Sequence, residues 1–342
     1  MNVRGVNAAK SILRNRSSSS KFGAFTSSQL HSTASAALPL KSYEEVQIPV
    51  PWGHISGKWW GRRDVTPVLG LHGFEDNAGT YDGLASLLDV PGFLALDAPG
   101  HGKSSHAPCG MAYTFIDFVI ALRRVVQHYG WSKLSIIGHS FGSATTHIYS
   151  SLYPSNVDKF VSLDCARTLM ALYPTRGKYG LSLLKKISEV TIKADRDVGK
   201  DPPAYTYENM VDAFCKATQD SVEKEHAGPL LQRGSMAHPQ QPQNFYFSRD
   251  SKLRYGDFCR PNLETLQESA KNIKCHVLTV LGTQGFVNVL SDADAGKAYF
   301  HLEKLVEKSA ASYSRVNVEG THHVHLNNPE RVAPHINKFL AQ

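Results

Sequence analysis

The stretch Ile137-Gly138-His139-Ser140-Phe141-Gly142 constrains this chain more than any other. Lys133 to Ile137 reads as a buried strand, and Phe141 to roughly Leu152 reads as a helix. Between them Gly138-His139-Ser140-Phe141-Gly142 is a G-x-S-x-G pentapeptide. A serine on so sharp a strand-to-helix turn takes strained backbone angles. Its neighbours two residues away must lack bulk for strand and helix to approach. The turn exposes the serine Oγ close to a helix N-terminus, where backbone N–H groups can meet a developing negative charge. Ser140 is therefore the candidate nucleophile, and the turn demands a strand on one side and a helix on the other.

The rest of the chain supplies the same alternation. Tyr43 to Trp60 reads as a hairpin, and Val65 to Leu71 as a short strand ending in His72-Gly73-Phe74. Gly79 to Leu88 is a predicted helix, and Gly92 to Leu96 a buried strand ending in Asp97. Thr114 to Tyr129 carries the helical period, with Thr114 as N-cap and Gly130 beyond the end. Lys159 to Leu163 is the strand after the elbow helix. Alternating strands and helices mean a mostly parallel central sheet with helices on both faces. The rhythm breaks after Asp164 and returns at His276 to Leu281, then in a helix near 293–309, the strand Tyr313 to Val318 and a final helix Pro329 to Leu340. Residues 43–166 and 272–342 thus form an α/β core, and 167–271 read as an inserted, mainly helical cap.

The formal charge of +7 over 342 residues invites a nucleic-acid partner, but its distribution argues against one. Arg4, Lys10, Arg14, Arg16, Lys21 and Lys41 carry six of the positive charges, and no acidic residue precedes Glu44. The body that follows is nearly neutral. Residues 1–42 are serine-rich and basic without a continuous apolar run, which reads as a transit peptide, with the mitochondrion as the expected destination, or as a disordered tail. Cytoplasm and peroxisome are the alternatives, although the C-terminal Leu340-Ala341-Gln342 is not of the S-K-L kind. No apolar run approaches the roughly 18–20 residues of a membrane span, so no transmembrane segment is expected. Five scattered cysteines contain no C-x-x-C, and no dinucleotide-binding glycine signature is present, so no cofactor is expected. Nothing in the sequence sets the oligomeric state.

From Glu45 onward the chain resembles the α/β-hydrolase superfamily. Val50-Pro51-Trp52-Gly53-His54-Ile55, Leu71-His72-Gly73-Phe74 with Asp76-Asn77, Leu230-Leu231-Gln232-Arg233-Gly234, and Ser248-Arg249-Asp250 with Leu253 look like the serine hydrolase-like protein family, which includes the insect Kraken-type proteins. The resemblance implies a serine hydrolase fold and site. One oxyanion donor would be the backbone N–H of Phe141, and the other the N–H of Phe74. His72 would shape its loop, and His101 would have a structural role. The general base would be late in the chain, where Gly320-Thr321-His322 fits the family's G-x-H pattern. His322, His323 and His325 also raise the question of a metal, but no Asp/Glu/His cluster elsewhere in the sequence completes a ligand set, and no metal is expected.

The acid is the departure from the family pattern. Most relatives carry it after the strand that here is His276 to Leu281, yet Gly282 to Asn288 contains no carboxylate before Asp292. Some α/β-hydrolases place it one strand earlier, which here is Asp164. Asp292, Asp294 and a site with no working acid are the alternatives. Asp97 is expected to bind loop N–H groups instead. The reading is a hydrolase of an ester, thioester or amide of a small, largely apolar molecule, through an acyl-enzyme on Ser140. Phe245-Tyr246-Phe247 would line the acyl pocket or serve as cap core. The alternative is a ligand-binding or scaffolding protein on the same fold with weak or lost catalysis.

Overall fold

The computed structural model describes residues 42–165, 177–255, 261–289 and 294–342. The segment read as a transit peptide lies outside them except for Ser42, and so does Asp292. Eight strands form the central sheet: β1 Tyr43–Val50, β2 Gly53–Gly61, β3 Val68–Leu71, β4 Gly92–Leu96, β5 Leu134–His139, β6 Val157–Leu163, β9 His276–Gln284 and β10 Ser312–Thr321. The intervening β7 Ser235–Ala237 and β8 Phe245–Phe247 make a small separate hairpin. The sheet order is β1-β2-β4-β3-β5-β6-β9-β10. Strands from β4 to β10 run parallel, while β1 and β2 pair antiparallel with each other and β2 with β4.

Both faces are buried because consecutive residues of the central strands point opposite ways and are apolar on each side. Ile136, Phe160 and Val277 belong to one core, with α2 Phe115–Tyr129 and α3 Phe141–Leu152 packed on it. Ile137, Val161 and Leu278, their immediate neighbours in sequence, belong to the other. That second core is covered by α1 Asp82–Leu87, by α11 Pro329–Leu340, and by Val324 of the short α10 Val324–Asn327. The predicted ends of α2 hold: Asp117 Oδ2 accepts the N–H of Thr114 at 2.7 Å, and Gly130 takes the left-handed C-terminal conformation at φ 68°.

Between β6 and β9 lie α4 Gly177–Arg196, α5 Tyr207–Ala217, α6 Gly228–Gly234, the β7–β8 hairpin and α7 Leu263–Lys271. Met210, Phe214, Leu230 and Leu231 form a small core with Leu326 of α10, and Phe245 and Phe247 pack against it. Leu266 and Ala270 of α7 instead join the core beneath α2 and α3. α8 Phe286–Val289 and α9 Asp294–Ser309 then lead to β10. One buried cation ties the inserted segment to the sheet. Arg233 Nε donates to both carboxylate oxygens of Asp97 at 2.9 Å, and Nη1 donates to Glu45 at 2.7 Å.

The elbow itself is held by close approach. A Cβ on residue 142 would lie 2.1 Å from the carbonyl oxygen of Leu71, so only glycine lets α3 sit this near β3. Gly142→Ala is expected to cost about 1–3 kcal/mol, as overpacking generally does. Urea unfolding should show a lower midpoint at an unchanged slope.

Candidate active site

The turn from β5 to α3 puts Ser140 at φ 48° and ψ −112°, a conformation that side chains other than glycine rarely adopt. Two main-chain bonds keep it there: Ser140 N–H donates to Leu163 C=O at 3.0 Å, and Ala144 N–H donates to Ser140 C=O at 3.1 Å. A Cβ on Gly138 would meet the backbone of Ser143 at 2.6 Å, so this glycine too is required by contact.

Asp164 follows β6 directly, also with a left-handed φ of 38°. Its N–H donates to Val280 C=O on the neighbouring β9 at 2.8 Å, so the residue is fixed beside the loop that follows β9. Residues 282–288 contain no carboxylate, and the end of β9 and the start of α8 turn N–H groups toward Asp164. Gly282 N–H donates to Oδ1 and Phe286 N–H to Oδ2, each at 3.1 Å. Gly285 makes room: a Cβ there would lie 2.0 Å from Asp164 Oδ1. His322, which follows β10, donates Nδ1–H to Asp164 Oδ2 at 2.6 Å, and the ring of Phe286 stacks on its imidazole at 4.1 Å between centroids.

The electrostatics follow from burial. Asp164 is fully buried, which raises its carboxyl to about 6 against the opposing pull of the Gly282 and Phe286 N–H groups. Burial also depresses the His322 imidazole well below its ordinary value, and the neighbouring His323 acts in the same direction. The imidazole is therefore neutral near pH 7, with Nδ1 protonated toward Asp164 and Nε2 able to accept a proton.

Ser140 and His322 line one cleft of about 190 Å³, together with Phe74, Phe214, Arg249 and Phe286. No hydrogen bond joins Ser140 Oγ to His322 among the described residues, which is common in the absence of substrate. The backbone N–H groups of Phe74 and Phe141 donate to no protein acceptor among the described residues. The cap aromatics Phe245 and Phe247 pack in the cap core, and Phe214 and Phe286 reach the cleft instead.

Several other charged groups have structural partners. His72 donates Nδ1–H to Gly73 C=O and accepts the Ala98 N–H at Nε2, so it shapes its loop. His101 does the same with Pro99 C=O and Glu75 N–H. Asp97 accepts N–H bonds from Ala78 and Lys103 besides the Arg233 pair. Arg249 and Glu75 approach at 3.5 Å at the rim of the cleft, each about one quarter exposed. The segment between β6 and β9 is also fastened near the turn that follows α5. Ser221 C=O accepts from Thr321 Oγ1 at 2.7 Å and Asn327 Nδ2 at 2.9 Å.

One convergence is not visible in the sequence, which offered no acidic or histidine cluster to complete a ligand set with His323: Asp76 and His139 lie beside it. They come from the loop after β3 and from the end of β5, and nothing in their local sequence ties them to residue 323. His325 is directed elsewhere, with Nε2 2.9 Å from Thr80 Oγ1.

The comparisons with known proteins fit this architecture. A family model described as alpha/beta hydrolase fold matches residues 66–269. A probable serine hydrolase of Drosophila melanogaster is 35% identical over 88% of this chain and 88% of its own length. A serine hydrolase-like protein of Danio rerio is 34% identical over 88% of this chain and 89% of its own. Among solved structures, a hypothetical protein from Pseudomonas aeruginosa PAO1 superposes with a TM-score of 0.70 at 26% identity, over 87% of this chain and all of the other.

Proposed function

The chain belongs to the alpha/beta hydrolase fold family, and from that premise we propose that it is a serine hydrolase. In this reading Ser140 Oγ attacks the carbonyl carbon of an ester, thioester or amide. His322 Nε2 takes the hydroxyl proton and returns it to the leaving group. Water, deprotonated by the same imidazole, then hydrolyses the acyl-enzyme. Asp164 holds the imidazole in the Nδ1–H tautomer and stabilises the imidazolium that forms at each proton transfer. The N–H groups of Phe74 and Phe141 bind the oxyanion.

The single observation that carries this reading is the 2.6 Å hydrogen bond from His322 Nδ1–H to Asp164. It supplies the acid partner that the loop after β9 lacks. A displaced acid was the one feature favouring a protein that binds without turning over, and this bond removes that support. The cleft's volume of about 190 Å³ is below the roughly 300–1,000 Å³ of drug-sized sites, which favours a short acyl group. Residues 167–271 act in this reading as the cap over that group, with Phe214 as its apolar wall.

The test is a pH profile on p-nitrophenyl esters of increasing acyl length. Activity requires the Asp164–His322 pair in the form with one proton fewer, so protonation on the acid side abolishes it. With Asp164 raised to about 6, kcat/KM should be flat near neutrality. It should fall about tenfold per pH unit below roughly pH 6, with short acyl chains preferred. Absence of turnover on every ester, thioester and amide offered would overturn the proposal.

A further inference from the structure

The buried cluster behind Ser140 has an arrangement that the hydrolytic reading does not use. His139 donates Nε2–H to His322 C=O at 3.1 Å, which leaves Nδ1 as its lone-pair atom. Ser221 Oγ–H is committed to Thr218 C=O at 2.7 Å. In the tautomer that keeps this bond, His323 donates Nδ1–H to Ser221 Oγ at 2.8 Å, and Nε2 is its lone-pair atom. Both lone pairs point to one carboxylate oxygen: Asp76 Oδ2 is 3.6 Å from His139 Nδ1 and 3.4 Å from His323 Nε2. All three residues are at least nine-tenths buried. Asp76 Oδ2 and His139 Nδ1 have no hydrogen-bond partner among the described residues. In this tautomer three acceptors face one another with no proton between them, an expensive arrangement in a buried site.

We propose that Asp76, His139 and His323 form a binding site for a divalent cation of the zinc class. Two imidazoles and a carboxylate are a donor set suited to that ion. Donors about 2.0–2.1 Å from a tetrahedral zinc stand about 3.3–3.4 Å apart. The observed 3.4 and 3.6 Å edges match this, and the three ligand atoms all lie within 4.8 Å of one another. The outer nitrogen of each imidazole is already occupied by a hydrogen bond, as in ligating histidines generally. Space is kept open as well. A Cβ on residue 73 would lie 2.8 Å from His139 Nδ1 and 3.2 Å from Asp76 Oδ2, and residue 73 is glycine. Gly73, His139 and His323 all line the cleft, which gives the ion a path and a fourth position.

Occupancy would inhibit hydrolysis. The rings of His139 and His323 are centred 4.6 and 5.0 Å from that of His322. An ion held between them occupies the cleft that Ser140 and His322 also line, where the reacting group must enter. This consequence rests on the serine-hydrolase reading; the binding site does not.

The experiment is titration of the untagged full chain with Zn²⁺ by calorimetry, and with Co²⁺ by visible spectroscopy. One ion should bind, with the intense bands of four-coordinate cobalt. Asp76→Asn and His323→Gln should each weaken binding by about 100-fold or more. Gly73→Ala, which fills the space, should do likewise. His226→Ala should change nothing, because the exposed Glu223, Glu225 and His226 group is a separate surface cluster. No binding, binding unaltered in the ligand variants, or binding lost with His226→Ala would overturn the site. If a ligand variant does not fold, X-ray absorption on zinc-loaded wild type decides. Two imidazole nitrogens and one carboxylate support the site, and sulfur or oxygen-only coordination overturns it. Saturating Zn²⁺ should lower ester turnover at least tenfold and a chelator should restore it. Undiminished turnover with the ion bound overturns the inhibitory role, and a chain that hydrolyses nothing leaves the binding result standing alone.

Discussion

Ser140→Ala is expected to lower kcat on a hydrolysed ester on the order of 10³-fold or more, as nucleophile removal does in serine hydrolases generally. It should also abolish labelling by a fluorophosphonate probe. The fold should survive, because the elbow is held by main-chain bonds of residue 140 and by the two glycines beside it, not by the serine hydroxyl. Alanine meets the same strain as serine at φ 48°. Circular dichroism and the thermal midpoint should therefore match wild type. Wild-type turnover in folded Ser140→Ala protein would end the serine mechanism.

Asp164→Asn should cut kcat by about 10⁴-fold with little change in KM, since it spoils the imidazole tautomer and leaves the cleft intact. Asp164 accepts three N–H bonds, from Gly282, Phe286 and His322. An asparagine has one acceptor oxygen, so its amide must turn N–H against N–H on at least one side. A loss of about 1–3 kcal/mol of stability should accompany the kinetic loss. Asp164→Glu offers no rescue, because residue 285 already closes on the carboxylate. Unchanged kcat in Asp164→Asn would move the acid to Asp292 or Asp294.

Much of this arrangement could be read from the chain, for identifiable reasons. The helix Phe141–Leu152, the strand Gly92–Leu96 and the helix Pro329–Leu340 run where the pattern put them, because buried strands and amphipathic helices carry their periods in local sequence. Asp164 was legible as a carboxylate at the end of an apolar strand. Its relation to the loop after β9 was not, since lateral pairing of β6 with β9 joins residues more than a hundred positions apart. The Phe286 ring on His322 was hidden for the same reason. The meeting of Asp76, His139 and His323 left no trace in spacing at all: each sits at a different strand end, and only the parallel sheet brings those ends together. Strand β9 also runs to Gln284, beyond its apolar run at Leu281, because Gly282 pairs with Val318 and Gln284 with Thr321 of the neighbouring β10 without needing a core.

The pairing of Arg233 with Asp97 and Glu45 has a consequence for traffic through the cleft. The guanidinium is buried and bonded to both carboxylates, which holds α6 against the sheet. Ser221 is fastened to the residues around His322 by two further bonds. The rim contact between Arg249 and Glu75, by contrast, is long and partly solvated, and such pairs are worth at most about 1 kcal/mol. Of these three fastenings the Arg249–Glu75 pair is the weakest. In the serine-hydrolase reading, reactants and products are expected to pass on the Arg249 side of the cleft.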